Sequence, residues 1–129
     1  MGRGAAYGDF DNDGDLDILM TTNGGQAFLY RNDLTNGNRS LRLRLIGSKS
    51  NRDAIGARVE VHVGSTVMSR MVKSGSSYLS QSELPLTFGL GHSEKADRVV
   101  IRWPSGRTDE LRNLRPGKPW TIQEGQRAR

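Results

Sequence analysis

Ser40-Leu41-Arg42-Leu43-Arg44-Leu45-Ile46 is the stretch on which the fold turns. Leucines fall at every second position and arginines fill the gaps. A period of two sends alternate side chains to opposite faces of an extended chain, so this segment predicts a strand with one buried and one wet face. The pattern recurs in Ile55–Val63, where Val59, Val61 and Val63 alternate with Arg58, Glu60 and His62. It recurs again in Arg98–Trp103, where Val99, Ile101 and Trp103 alternate with Arg98 and Arg102, while Val100 breaks it. Val67–Lys73 is β-prone without a clear face, and Leu86–Phe88 and Trp120–Gln123 are shorter strand candidates. Gly64-Ser65, Gly75-Ser76-Ser77, Gly89-Leu90-Gly91, Pro104-Ser105-Gly106 and Pro116-Gly117 supply turn chemistry between them. No segment carries a sustained 3.6-residue period, although Asp109–Leu114 is compatible with one turn of helix. Short strands separated by turns roughly every 8–12 residues predict an all-β fold, an antiparallel β-sandwich or barrel-like domain.

Outside this β-rich body the charge changes sign. Residues 1–30 hold one basic residue, Arg3, and five acids, for a net charge of −4. Residues 31–129 hold eighteen basic and nine acidic residues, a net of +9, so the overall +5 is an average of two unlike parts. Asn36-Gly37-Asn38 reads as the linker between them, which divides the chain into residues 1–34 and a β-domain over 40–125. The 129 residues hold no cysteine, which excludes disulfides, thiolate zinc sites and cysteine nucleophiles. Two histidines, His62 and His92, leave little material for histidine chemistry, and both read as exposed positions. No run of about 18 apolar residues is present, so no membrane span is expected. The opening Met-Gly-Arg-Gly-Ala-Ala-Tyr-Gly-Asp lacks the apolar centre of a signal peptide.

The densest chemical signal is Gly8-Asp9-Phe10-Asp11-Asn12-Asp13-Gly14-Asp15-Leu16-Asp17. Counted from Asp9, aspartates stand at positions 1, 3, 5, 7 and 9, with glycine at 6. Five carboxylates so close repel one another unless a cation neutralises them. Calcium suits the arrangement, because it accepts six to eight oxygen ligands in flexible geometry, and a glycine at position 6 permits the necessary sharp turn. A helix–loop–helix calcium site requires Glu at position 12, where this chain has Met20. Apolar, strand-like Ile18-Leu19-Met20 follows instead, so the loop is expected between strands. Side chains of Asp9, Asp11, Asp13 and Asp17 are the expected ligands. Asp15 would contribute its backbone carbonyl and point its carboxylate to solvent. A pair of aspartates also occurs in glycoside hydrolysis, but five in one loop leave the space to a cation.

At these residues the chain resembles the calcium loop of FG-GAP/VCBS repeats, the blades of integrin-like β-propellers. Asn23-Gly24-Gly25 with Phe28-Leu29-Tyr30-Arg31-Asn32 is similar to the hairpin and outer strand that close such a blade. A propeller needs several four-stranded blades, so residues 1–34 would be a partial repeat, an N-terminal β-hairpin remnant of one blade. Leu41 to Gly125 resembles the ASPIC/UnbV domain, the family of the cartilage acidic protein group. The matching stretches are Gly47–Val59 (GSKSNRDAIGARV), Gly75–Gln81, Leu86–Gly91 (LTFGLG) and Trp103-Pro104-Ser105-Gly106. The resemblance implies a noncatalytic, calcium-binding extracellular or cell-surface β-module for adhesion or recognition of a protein or glycan. It also implies that this chain corresponds to the C-terminal part of a larger propeller protein.

Competing functions can be set against these residues. Arg42, Arg44, Arg58, Arg98 and Arg102 occupy the wet faces of amphipathic strands, so a solvated face is favoured over an anion or nucleic-acid surface. A nucleic-acid module would interleave exposed aromatics with its cations, whereas Phe88, Trp103 and Trp120 stand at core positions. An enzymatic or accessory role in enediyne-type biosynthesis is implied only by the genomic neighbourhood of some relatives. It would need a pocket converging on Asn51, Arg52, Asp53 and His92. Asn51, Arg52 and Asp53 are the candidate partner-binding residues, although Asx-type turns account for the same loop. The N-terminal strands, left with open edges, offer a route to a homo-oligomer.

Overall fold

The alternation of the leucines in the opening stretch becomes burial in the structure, a computed structural model that describes residues 1–126. Strand β4 (Arg39–Ile46) buries Leu41, Leu43 and Leu45 and leaves Arg44 exposed. Ten strands make up the regular structure, and no helix occurs among the described residues.

The chain divides into two compact units. The first comprises Met1–Asn36 and Lys73–Glu83. Its strands β1 (Gly2–Gly8), β2 (Asp17–Thr22) and β3 (Phe28–Tyr30) form an antiparallel sheet in that order. The register pairs Tyr7 with Ile18, and Ile18 with Tyr30. Lys73–Glu83 lies against β1 within this unit: Ser82 Oγ accepts the Tyr7 N–H at 3.1 Å, and the Glu83 N–H reaches the Tyr7 carbonyl at 3.1 Å.

The second unit comprises Gly37–Val72 and, among the described residues, 84–126. Besides β4 it contains β5 (Arg58–Val63), β6 (Thr66–Met71), β7 (Leu86–Gly91), β8 (Ala96–Arg102), β9 (Thr108–Leu114) and β10 (Trp120–Gln123). They form a three-stranded sheet, β10-β4-β7, and a four-stranded sheet, β6-β5-β8-β9. The two sheets make a sandwich whose core holds Leu41, Leu43, Val59, Val61, Phe88, Val99, Ile101 and Ile122, all almost completely shielded. Each such side chain contributes about 1.5–3 kcal/mol of transfer free energy. The sheets stay separate, so the barrel-like alternative is not what forms.

Three expectations change at the strand level. Asp109–Leu114 is not helical: it lies in β9, paired antiparallel with β8. Its neighbour in the sheet decides this, because Leu111 pairs with Val99 and Glu110 meets Arg98 in an ion pair at 2.7 Å. Gly89-Leu90-Gly91 is not a turn but the end of β7, where Leu90 continues the alternation of Leu86 and Phe88 into the core. The sheet is not wholly antiparallel, because β10 joins the edge of β4 in parallel, Trp120 opposite Leu43 and Ile122 opposite Leu45.

Candidate functional site

Gly8 closes β1 and pairs directly with Asp17, the first residue of β2, so residues 9–16 form a loop between two adjacent antiparallel strands. Within it the backbone turns at two left-handed residues, Asn12 (φ 61°) and Gly14 (φ 98°). Asparagine tolerates this conformation better than most side chains, and glycine adopts it without a Cβ clash. These two turns fold the aspartates toward one another.

One carboxylate oxygen from each of Asp9, Asp11 and Asp17 lies within 4.8 Å of the others. Two oxygens on opposite sides of one calcium ion stand about 4.6–5.2 Å apart, so this set fits one such ion. Oxygens of Asp11, Asp13 and Asp33 likewise lie within 4.8 Å of one another, at the exposed side of the loop. Asp15 belongs to neither set and is half-buried rather than fully turned to solvent. Burial raises its carboxyl pKa, and the charges of Asp13, Asp9, Asp17 and Asp11 add to the effect.

Local hydrogen bonds hold the loop in place. Asp17, only 2% exposed, accepts the Phe10 N–H through Oδ2 and the Asn32 N–H through Oδ1, both at 2.8 Å. These two backbone donors keep its carboxyl below the usual range against the opposing effect of burial, with a smaller contribution from Arg31. Asp9 Oδ2 accepts the Gly14 N–H at 3.2 Å, and Asp13 Oδ1 accepts the Asp15 N–H at 2.9 Å. The Asp9 N–H itself donates to Glu83 Oε2 at 3.2 Å. Arg31 bonds Asp33 at 2.7 Å and stands 3.9 Å from Asp11. A cavity of about 300 Å³ opens at the base of the loop, where Tyr7, Phe10, Leu19 and Leu29 meet Asp9, Asp17 and Glu83.

Asp33 and Glu83 join the loop without a local sequence signal. Asp33 stands 16 residues beyond Asp17 with no periodic relation to the loop, and its only cue is its place just after the short strand β3. Glu83 reaches the loop only because Lys73–Glu83 packs with the N-terminal unit.

The other candidate residues sit in the β4–β5 connection. Asn51 closes its own loop: its Nδ2 donates to the Ile55 carbonyl and its Oδ1 accepts the Ile55 N–H, both at 2.8 Å. Arg52 and Asp53 are exposed. Asp53 lines a cavity of about 240 Å³ with Arg44, Leu45, Val72, Leu84 and Pro85, whereas His92 is exposed in the turn after β7.

The strongest polar cluster of the second unit was not legible in sequence. Glu124, 3% exposed, follows β10 and accepts the N–H groups of Ser48, Lys49 and Ser50 on Oε2 at 2.9, 2.8 and 2.7 Å. Its Oε1 accepts the hydroxyls of Ser50, at 3.1 Å, and Ser105. Burial opposes its ionisation, but the Ser105 hydroxyl and the three N–H groups prevail and hold its pKa down to about 2. Nearby, Asp109 accepts the Trp103 indole N–H and the Gly125 N–H on Oδ2, each at 2.8 Å.

Several arginines of the basic strand faces are internally paired. Arg98 and Arg112 both meet Glu110, at 2.7 and 2.8 Å, and Arg102 meets Glu60. Val100 lies between these pairs in the register, opposite Glu60 and Glu110, which gives its break in the alternation a place on the outer face. The long arginine stems make that face less polar than its formal charge implies.

Among known proteins, a family model described as ASPIC and UnbV matches residues 47–129. Cartilage acidic protein 1 of Xenopus tropicalis is 33% identical over 111 residues, covering 82% of this chain and 17% of the relative. Cartilage acidic protein 1 of Homo sapiens is 30% identical over 128 residues, covering 95% of this chain and 19% of the relative. The chain thus spans less than a fifth of the length of these relatives.

Proposed function

The chain belongs to the ASPIC and UnbV family, and on that premise we propose that it is a noncatalytic, calcium-braced extracellular β-module for recognition of a protein or glycan. The observation that carries the calcium part is the approach of Asp9, Asp11 and Asp17 oxygens to within 4.8 Å of one another. Calcium supplies positive charge to a loop that otherwise concentrates five carboxylates. Asp9, Asp11 and Asp17 would hold it, with Asp13 and the Asp15 carbonyl as further donors. Ligation would set the path of the β1–β2 loop and so the shape of the apolar cavity at its base. The extracellular assignment draws on the similarity to the cartilage acidic proteins.

Residues 1–34 are read as part of an FG-GAP/VCBS-like blade. Ile18, Leu19, Phe28, Leu29 and Tyr30 are each between 43% and 53% exposed and occupy both faces of the sheet. Paired residues Leu19 and Leu29 lie on one face, and Ile18, Tyr30 and Phe28 on the other. Apolar exposure on both faces fits a sheet made to pack between neighbours. The same faces and the edge of β3 would serve association with a second copy.

The test is thermal unfolding of the chain in calcium and in chelator. Calcium is expected to raise Tm, since a ligand that binds only the folded state stabilises it, and Asp13→Ala, which removes a further donor, is expected to reduce that gain. Identical unfolding curves in calcium and in chelator would overturn the metal-binding part of the proposal.

A further inference from the structure

The carboxylate of Glu124 sits in a receptor that the fold builds from elsewhere in the chain. Three consecutive backbone N–H groups, of Ser48, Lys49 and Ser50, converge on Oε2 at 2.7–2.9 Å. The hydroxyls of Ser50 and Ser105 take Oε1. Successive N–H groups that point into one concavity form an anion-binding nest. Here the donors divide between two oxygens, three on one and two on the other. That division suits a planar carboxylate, whereas a halide offers a single centre.

Much of the receptor's shape is held by bonds that do not involve the Glu124 side chain. The Gly47 N–H donates to the Arg52 carbonyl at 3.0 Å, and the Ala54 N–H to the Asn51 carbonyl at 2.9 Å. The Asn51 side chain locks to Ile55 in both directions. The Ser105 N–H donates to Ser50 Oγ at 3.1 Å, which ties the two hydroxyl donors together. None of these bonds involves Glu124. The occupant, by contrast, arrives at the end of β10, a four-residue strand on the edge of its sheet.

We infer that the Ser48–Ser50 backbone and Ser105 form a carboxylate-binding site in their own right, with Glu124 as its tethered ligand, and that the site takes a free small carboxylate once that side chain is withdrawn. In the intact chain the tether gives Glu124 a high effective concentration at the site. The site therefore works as a clasp that fastens β10 beside β4. An outside carboxylate gains entry only when the clasp is open.

Glu124→Ala deletes the atoms of an acetate ion, so acetate is the probe. Thermal unfolding of this variant would be followed in sodium acetate and in sodium chloride at equal ionic strength. The expected result is a lower Tm than the parent chain in chloride and a saturable recovery of most of the loss in acetate. Adding Ser105→Ala should weaken the recovery. An equal response to acetate and chloride overturns the inference, as does an undiminished recovery without the Ser105 hydroxyl. If Glu124→Ala does not fold in chloride, refolding from denaturant is compared in the two salts. Recovery in acetate alone supports the site, and failure in both counts against it. Glu124→Gln keeps the shape and fills the cavity, so it should lose stability and ignore acetate. A glutamine variant as stable as the parent would show that the nest does not select a carboxylate, and would also overturn the inference.

Discussion

The Asp17 carboxylate accepts the backbone N–H of Asn32 at 2.8 Å and thereby joins the start of β2 to the chain just beyond β3. The same carboxylate holds the Phe10 N–H, so one side chain bridges the loop and both strands that follow it. A residue expected to be a metal ligand thus has a second, hydrogen-bonding task, and the two tasks can be separated.

Asp17→Asn should lower Tm even in chelator. An amide offers one acceptor oxygen and turns its NH2 toward the remaining backbone donor, leaving one buried N–H unmatched. Asp13 is exposed and bonds only its near neighbour Asp15, so Asp13→Ala should leave the chelator curve almost unchanged. Faster amide hydrogen exchange at Phe10 and Asn32 in Asp17→Asn alone would verify the distinction. Equal effects of the two substitutions in chelator would contradict it.

Acid should unfasten the second unit through Glu124. Its pKa is lowered from 4.5 to about 2 in the folded chain. A carboxyl depressed on folding stabilises the fold fully above its unfolded value and loses that contribution as protons bind. The stabilisation is therefore present above about pH 4.5 and fades as pH falls toward 2. Asp109, held low by the Gly125 N–H, Arg107 and Trp103 against its burial, adds to the same acid loss. Denaturant titrations at stepped pH should show stability falling over this window. In Glu124→Gln that fall should be shallower; an unchanged slope would remove Glu124 as its source.

Gly47→Ala tests the loop that carries the nest. A Cβ at this position would stand 2.1 Å from the Asn51 carbonyl oxygen and 2.8 Å from that of Ser50. Both obstacles are backbone, so the loop itself must move. Overpacking of this kind costs about 1–3 kcal/mol, and each kcal/mol lowers Tm by roughly 4–8 °C in a domain near 100 residues. Gly89→Ala in β7 is the control, because a Cβ there meets nothing within 4 Å. Differential scanning calorimetry should find a clear drop for the first variant and none for the second.

The N-terminal unit shows how far local pattern reaches. The spacing of five aspartates around Gly14 marks a loop that must turn, and Gly14 indeed adopts φ 98°. The same spacing says nothing of Asp33 or Glu83, because neither is near the loop in sequence. In the β-body, Leu41, Val59 and Ile101 announced their burial through alternation, as did the exposure of Arg44, Arg58 and Arg98. Leu111 and Glu110 did not, since one short charged segment reads equally as helix or strand until β8 supplies its partner.

By itself the sequence determined the all-β class, the principal strands of the sandwich, the side of each that faces the core, and the aspartate loop. Those properties follow from period-two hydrophobicity and from residues that are neighbours along the chain. Only the tertiary structure decided that β10 runs parallel beside β4, that Lys73–Glu83 joins the first unit, and that Glu124 closes on Ser48–Ser50. A carboxylate and its donors 74 to 76 positions apart leave no pattern to read. They meet because burial of the core brings both segments to one place, where the charge of Glu124 must be hydrogen-bonded if it is to be buried at all.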